Sequence, residues 1–347
     1  MRDSTSAVLG ALPSRPVLQR EDVARNVLRW FAYVFVALAL LFAVIAQVHG
    51  DVFFFRLATE ALIYGGFAMG VDLLLGYTGL LSLGHALFFG LGAYTSAVVL
   101  KGLAPSFWLA LAVTLCVSTV VGAIAGIIAI RARGVYFALI TFGMAEVLAK
   151  AVFNTQELGG SDGIIGVPVI KANFLFFTVD TGNAAHFFFL VLAVIMVFYF
   201  ALEALLRTPF GRLVVAIKAN EDRVPFLGFN AQRHKLGIFV IAANVTALSG
   251  ALYPMLRGFV SPELLYFHSS GNAVITVILG GVGTLIGPLF GSVILTGLKS
   301  IIGSYTEHHL IVIGLLFMCS VMFFPKGIVG SLKGLVESWL ARRKEQS

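Results

Sequence analysis

Long apolar runs, each ended by a short polar or glycine-rich break, follow one another from residue 30 to residue 325. Crossing the hydrocarbon core of a bilayer takes a helix of about 20 apolar residues. The breaks divide the chain into ten such segments, at about 30–48, 57–75, 84–100, 106–130, 135–153, 184–206, 236–256, 270–283, 287–303 and 309–325. With 59% of its 347 residues apolar and only 12% charged, the chain has too few polar side chains to clothe a water-facing surface, so its solvent is largely lipid. Its 37 glycines suit close helix–helix approach in a membrane. The expected fold is all-α: a polytopic membrane protein of about ten transmembrane helices, some joined as Gly-broken hairpins.

Residues 1–29 carry five arginines and no apolar core, which reads as an N-terminal leader and interfacial segment rather than a cleavable signal. Within it, 1–16 is rich in Ser, Pro and Ala, and 17–29 suits a short helix on the membrane surface. The transmembrane domain is then 30–325, interrupted by a polar loop at 207–235, and 326–347 is a tail. An even number of crossings puts both termini on one side. That side receives the leader, Arg131 and Arg133, the 207–235 loop and the tail, which hold 18 of the 24 lysines and arginines. Arg56, Lys101, Lys150, Lys171, Arg257 and Lys299 fall on the other. Cytoplasmic loops carry the excess of Lys and Arg, so the leader, the 207–235 loop and the tail are expected in the cytoplasm.

Several chemistries have no sequence basis. There is no G-x-x-x-x-G-K-[ST] phosphate loop, no H-E-x-x-H and no C-x-x-C. Cys116 and Cys319 lie inside apolar runs, with no disulfide framework. His308 and His309 are neighbours whose side chains would point about 100° apart on a helix, a poor arrangement for a shared metal. No catalytic residue, metal site or cofactor is expected, and nothing reads as an enzyme. Acidic residues within apolar runs remain: Asp72 and Glu146 lie deep, Glu60 and Glu203 nearer the ends. A charge at that depth faces a cavity or a partner. Two readings stand for Asp72 and Glu146, an ion or substrate relay and a helix–helix hydrogen bond. The lack of a matching Lys or Arg deep in the membrane favours the second.

Two stretches depart from plain spans: "LLLGYTGLLSLGHALFFGLGAY" (73–94) and "VILGGVGTLIGPLFGSVIL" (277–295). Each places paired glycines, Gly79 and Gly84 or Gly281 and Gly283, between aliphatic runs. Unwound backbone is tolerated at membrane depth where protein or a water-filled cavity satisfies it, so a matched pair of broken helices suits a translocation path. The same glycines also suit tight helix packing.

"GRLVVAIKANEDRVPFLGFNAQRHK" (211–235) packs seven charged residues and a histidine between two apolar runs. Thr208-Pro209 makes a helix start, Asn220 to Asp222 offer a fresh cap, and Gly228 can end a second short helix. Val224, Phe226, Leu227 and Phe229 then form an apolar knob beside a rim of Glu221, Asp222 and Arg223. A solvated loop has no need of Phe-Leu-Gly-Phe, whereas a protein docking site does.

These features, with "LGYTGLLSLGHALFFGLGAYT", "RGVYFALITFGMAEVL", "GGSDGIIGVP", "TPFGRLVVAIKANEDRVPFLGFN", "SGALYPMLRGFVSPE", "ILGGVGTLIGP" and "LFMCSVMFFPKGIVG", together resemble the LivM-type permease family of ABC importers, in order from about residue 60 to 330. The resemblance implies a multi-pass permease of the bacterial inner membrane carrying branched-chain amino acids, urea, short amides or other small organic solutes. It also implies a second, LivH-like permease, two cytosolic ATPase subunits and a periplasmic binding protein as partners, with no nucleic acid. Glu221, Asp222, Arg223, Val224, Phe226, Leu227 and Gly228 would then belong to the segment that docks an ATPase. Gly79, Gly84, Gly281, Gly283, Asp72 and Glu146 would belong to the translocation path. "GGSDG" (159–163) lies in the long loop 154–183 that would face the binding protein, as a docking element or as a plain glycine turn. Asp72 and Arg257 depart from the family's pattern. An arginine at the outer mouth suits carboxylate solutes, and equally suits snorkelling. The rival expectation is a stand-alone ion-coupled secondary transporter using Asp72 or Glu146.

Overall fold

The computed structural model describes residues 15–173, 178–305 and, in part, 311–334. The leader before Arg15, the His308–His309 pair, most of the expected run 309–325 and the tail beyond 334 lie outside the described residues. Among the described residues, eight helices are long and apolar enough to cross a membrane, and each matches one of the ten expected runs. The described residues are all-α apart from two small two-stranded sheets.

Helix α1 (Arg15–His49) runs without a break from the expected interfacial segment through the first apolar run. Helix α2 (Val52–Leu75) starts where the Asp51 carboxylate accepts a hydrogen bond from the Phe53 amide at 2.9 Å. After the first broken stretch come α3 (Ala86–Val98), which relaxes into a π-helical turn over Val99–Leu103, then α4 (Phe107–Ala129) and α5 (Val135–Asn154). A long loop leads to α6 (Ala184–Arg207) and the amphipathic α7 (Pro209–Ala219). Helix α8 (Ala231–Ala251) passes into the short α9 (Tyr253–Arg257), with Pro254 in its first turn. Helices α10 (Phe267–Gly280) and α11 (Gly287–Tyr305) follow, and residues 327–334 are helical again.

The expected crossing 270–283 takes a different form. Helix α10 has 14 residues, about 21 Å at 1.5 Å per residue, against about 30 Å of hydrocarbon. It stops where Gly281 leaves helical geometry, and the chain turns back through 281–286 into α11. It is therefore a partial crossing whose polar end groups are satisfied inside the protein.

Helices α2, α3 and α8 form the interior, while α1 and α4 leave most of their surface facing outward. Small residues permit this. Gly66 and Gly70 of α2 lie against Ser249 and Thr246 of α8, and Gly92 of α3 lies against the Ala247 carbonyl, with no room for a Cβ. Phe67 and Phe89 stack at 4.7 Å between these helices, and Tyr253 meets Phe89 edge-on.

The start of α2, the ends of α5, α9 and α11 and the start of α10 share one face. There β1 (Ile164–Ile165) pairs antiparallel with β4 (Phe259–Val260), and β2 (Lys171–Asn173) with β3 (Thr178–Asp180). The opposite face carries both broken stretches and α7.

Candidate functional site

The segment between α6 and α8 is a small, self-supporting platform. The Thr208 hydroxyl accepts from the Gly211 amide and starts α7. Asn220 accepts from the Arg223 amide at 3.2 Å and opens a 3-10 stretch, Glu221–Leu227, which Gly228 ends at φ 81°. Asn230 then caps α8 through the Arg233 amide at 3.1 Å. Beneath this surface Ile217, Val224 and Ala231 form a separate apolar cluster.

Val224 is only 1% exposed, which corrects its expected place in the apolar knob: it anchors the platform from below. Lys235, also 1% exposed, donates to Glu221 Oε2 at 2.6 Å. Arg133, from the turn between α4 and α5, reaches Asp222 Oδ1 at 3.0 Å and Glu221 Oε1 at 3.8 Å. Two of the three expected rim charges thus brace the platform, and Arg223 alone of the three has no side-chain partner among the described residues. Removing one partner of a buried ion pair strands the other, so the Glu221–Lys235 pair locks the platform onto α8. Outward, Phe226 is 90% and Leu227 66% exposed, with Phe229 beside them. Each would gain about 1.5–3 kcal/mol from being covered.

The platform connects to the two broken stretches. Lys218 of α7 donates from Nζ to the Gly76 carbonyl at 2.6 Å. One turn earlier on α2, the fully buried Asp72 accepts from the Gly283 amide at 2.6 Å and the Leu285 amide at 2.9 Å. Leu285 has φ +56°, alone among the described non-glycine residues in the left-handed region, a conformation that persists only where surroundings hold it. The two glycine-rich breaks, some 200 residues apart in sequence, touch here: a Cβ on Gly76 would collide with the Asp72 carboxylate and the Gly283 backbone.

The opposite face holds a polar cavity of about 760 Å³ between α2, α9, α10 and α11. Arg56, Glu60, Arg257, Glu263, His268 and Lys299 contribute its charged groups and its histidine. Arg257 donates to Glu60 Oε2 at 2.6 Å, and His268 Nε2 meets the Asn272 amide at 2.9 Å. Arg257 is therefore ion-paired rather than snorkelling freely. Strand β4 forms part of the rim through Phe259, so β1 ties the long loop to the cavity mouth. In "GGSDG", Gly159 packs on the Gly163 carbonyl and Gly163 on that of Val260, while Ser161 and Asp162 are exposed. The motif makes a tight glycine turn beside the rim.

None of Gly79, Gly84, Gly281, Gly283, Asp72 and Glu146 lines this cavity. Gly79, Gly281 and Gly283 adopt positive φ in the breaks, and Gly84 packs on the Thr141 carbonyl of α5. Glu146 accepts from the Phe267 amide at 3.2 Å, capping α10. Sequence reasoning missed Lys218, Lys235 and Arg133, whose partners lie 14 to 142 residues away. It also missed Lys299 and the Glu60–Arg257 pair, although charged residues inside apolar runs were the available signal.

The family model described as the permease component of the branched-chain amino acid transport system matches residues 53–321. The chain is 29% identical to the high-affinity branched-chain amino acid permease LivM of Salmonella typhimurium, over 79% of this chain and 69% of the relative. It is 24% identical to LivH of the same organism, over 77% and 91%. It is 25% identical to the ribose import permease RbsC of Haemophilus influenzae, over 75% and 81%. No solved structure matches the chain.

Proposed function

This chain belongs to the permease family of the branched-chain amino acid transport system, and we propose that it is one membrane subunit of an ATP-driven importer for branched-chain amino acids or a similar small organic solute. Its partners in this reading are a second, LivH-like permease, two cytosolic ATPase subunits and a periplasmic binding protein, assembled in a bacterial inner membrane. The platform face is cytoplasmic, in keeping with the excess of Lys and Arg there.

The observation that carries the proposal is the exposed Phe226–Leu227 pair on a platform braced by Glu221–Lys235 and Arg133. An ATPase seated on that knob moves α7. Lys218 passes the motion to the end of α2, and Asp72 passes it to the turn between α10 and α11. Those helices wall the cavity on the far face, so a rigid shift changes which side is open. Gly76, Gly79, Gly281 and Gly283 serve as close-contact joints in this path rather than as its lining. The ion-coupled alternative has little support, since Asp72 and Glu146 both already accept backbone amides.

The test is reconstitution with the four partners in proteoliposomes. Uptake of radiolabelled leucine, valine or urea is expected to persist with an uncoupler and stop without ATP. Uptake that needs an ion gradient and ignores ATP overturns the reading.

A further inference from the structure

The cavity on the far face has an unbalanced charge pattern. Three cations, Arg56, Arg257 and Lys299, share it with two carboxylates, Glu60 and Glu263. Arg257 is satisfied by Glu60. Lys299 is half-buried on α11 and makes no hydrogen bond or ion pair among the described residues. It lies inside a membrane-crossing helix, and the nearest opposite charge acting on it, Glu60, is already committed to Arg257; a cation so placed is costly and marks a ligand pathway. Its neighbours Asn272, Thr296 and Ser300 are uncharged hydrogen-bonding groups, and Leu256 and Leu295 give the cavity an apolar side.

We propose that this cavity is a transient solute site, in which Lys299 receives the carboxylate of a small organic acid or amino acid. The inference rests on the permease reading and adds the chemical class of cargo and the residue that recognises it. A carboxylate accepts a charge-assisted hydrogen bond from the lysine, and the apolar side accommodates a short aliphatic chain. For an amino acid, the ammonium group faces the carboxylates of Glu60 and Glu263. A neutral solute such as an amide or a sugar leaves Lys299 without its partner, and a site with an unpaired buried polar group discriminates against such a solute. Glu60 holds Arg257 in place, so Arg257 shapes the site; Arg56 and Lys299 both lack an ion pair among the described residues, and Lys299 is the more buried of the two and so the one placed to bind a solute.

The test uses the assembled importer in lipid nanodiscs and the acetylation rate of each lysine under an activated acetate ester, read by mass spectrometry. Leucine and isovalerate, which has leucine's carbon skeleton and carboxylate without the amine, are expected to slow acetylation of Lys299. Protection should rise with concentration to about tenfold, following one plus the ratio of solute to dissociation constant. Leucinamide and ribose should leave the rate unchanged, and Lys101 and Lys171, on the same face but outside the cavity, should respond to none of the four. Lys299→Arg should retain uptake of the carboxylate solute, whereas Lys299→Met should lose most of it while still copurifying with the ATPases.

Protection of Lys299 by neither carboxylate, or equal protection by leucinamide, overturns the proposal. So does a Lys299 that is shielded without solute and released by exchanging anionic for zwitterionic lipid, which would mark a headgroup site. ATP hydrolysis stimulated by the binding protein, measured on the same preparation, reports the permease reading separately. If stimulation is present and protection absent, the site alone has failed.

Discussion

Asp72 and Lys218 are the two side chains that join the glycine breaks to the platform, and both act on backbone groups. Asp72→Ala would orphan the buried amide of Leu285 and the half-buried amide of Gly283, at up to about 1–3 kcal/mol for each unsatisfied group. Asp72→Asn keeps one acceptor but turns an NH2 towards an N–H. Thermal unfolding of the purified complex should therefore rank wild type above Asp72→Asn and Asp72→Ala lowest. Wild-type stability in Asp72→Asn, combined with lost transport and a changed pH profile, would return Asp72 to an ion-relay role. Lys218→Met should lower uptake while leaving ATPase copurification intact, because it removes the contact with Gly76 and the positive charge near Asp72 but nothing on the exposed knob. The sequence made the depth of Asp72 legible, since an acid among aliphatic residues stands out. Its partners were not legible, because an amide donor 211 residues away leaves no mark in side-chain pattern. Val224 shows the same limit from the other direction. Adjacency to Phe226 and Leu227 suggested a common face, but a 3-10 stretch turns Val224 inward. The seven-residue spacing of Ile217, Val224 and Ala231 was the signal for that small cluster.

At the scale of elements, the platform is the part whose local chemistry reads most directly. Thr208-Pro209, Asn220, Gly228 and Asn230 start and stop its pieces where cap and turn rules place them. The knob they present is expected to supply most of the contact with an ATPase. Buried aromatic and aliphatic anchors cost roughly 1–4 kcal/mol each on truncation. Phe226→Ala with Leu227→Ala should therefore weaken ATPase association at least about tenfold. The helices themselves should be undisturbed, because both side chains point away from the cluster of Ile217, Val224 and Ala231. Copurification of a tagged ATPase gives the answer, and wild-type yield would reduce the segment to a solvated loop. Arg223→Ala should have a smaller effect that shrinks with added salt. The glycine breaks were legible as breaks but not as partners. Their fit at Gly76 and Gly283 is decided by which helices lie side by side, which hydropathy does not encode.

For the whole molecule, apolar runs alone located all eight of the long helices among the described residues, because lipid leaves the backbone few ways to cross. They overstated α10, where an apolar run of ordinary composition ends early at Gly281. In the proposed orientation, drawn from the charge asymmetry, the platform faces the cytoplasm and the cavity the outside. In cells lacking Cys116 and Cys319, Gln232→Cys should resist an impermeant thiol reagent and Asn173→Cys should react. Both positions are exposed, so burial does not confuse the result. Labelling of Gln232→Cys from outside would reverse the orientation and remove the coupling assignment with it. The uncovered Phe226 and Leu227 carry one more implication, for how the importer is made. If an ATPase covers this patch as proposed, each newly inserted copy displays an adhesive aromatic patch until that partner arrives, on a platform too well braced to fold it away. Such a copy is drawn into unproductive association with other exposed apolar surfaces, or into proteolysis. On that reading, cells that produce this chain would benefit from synthesising it in step with its nucleotide-hydrolysing partners.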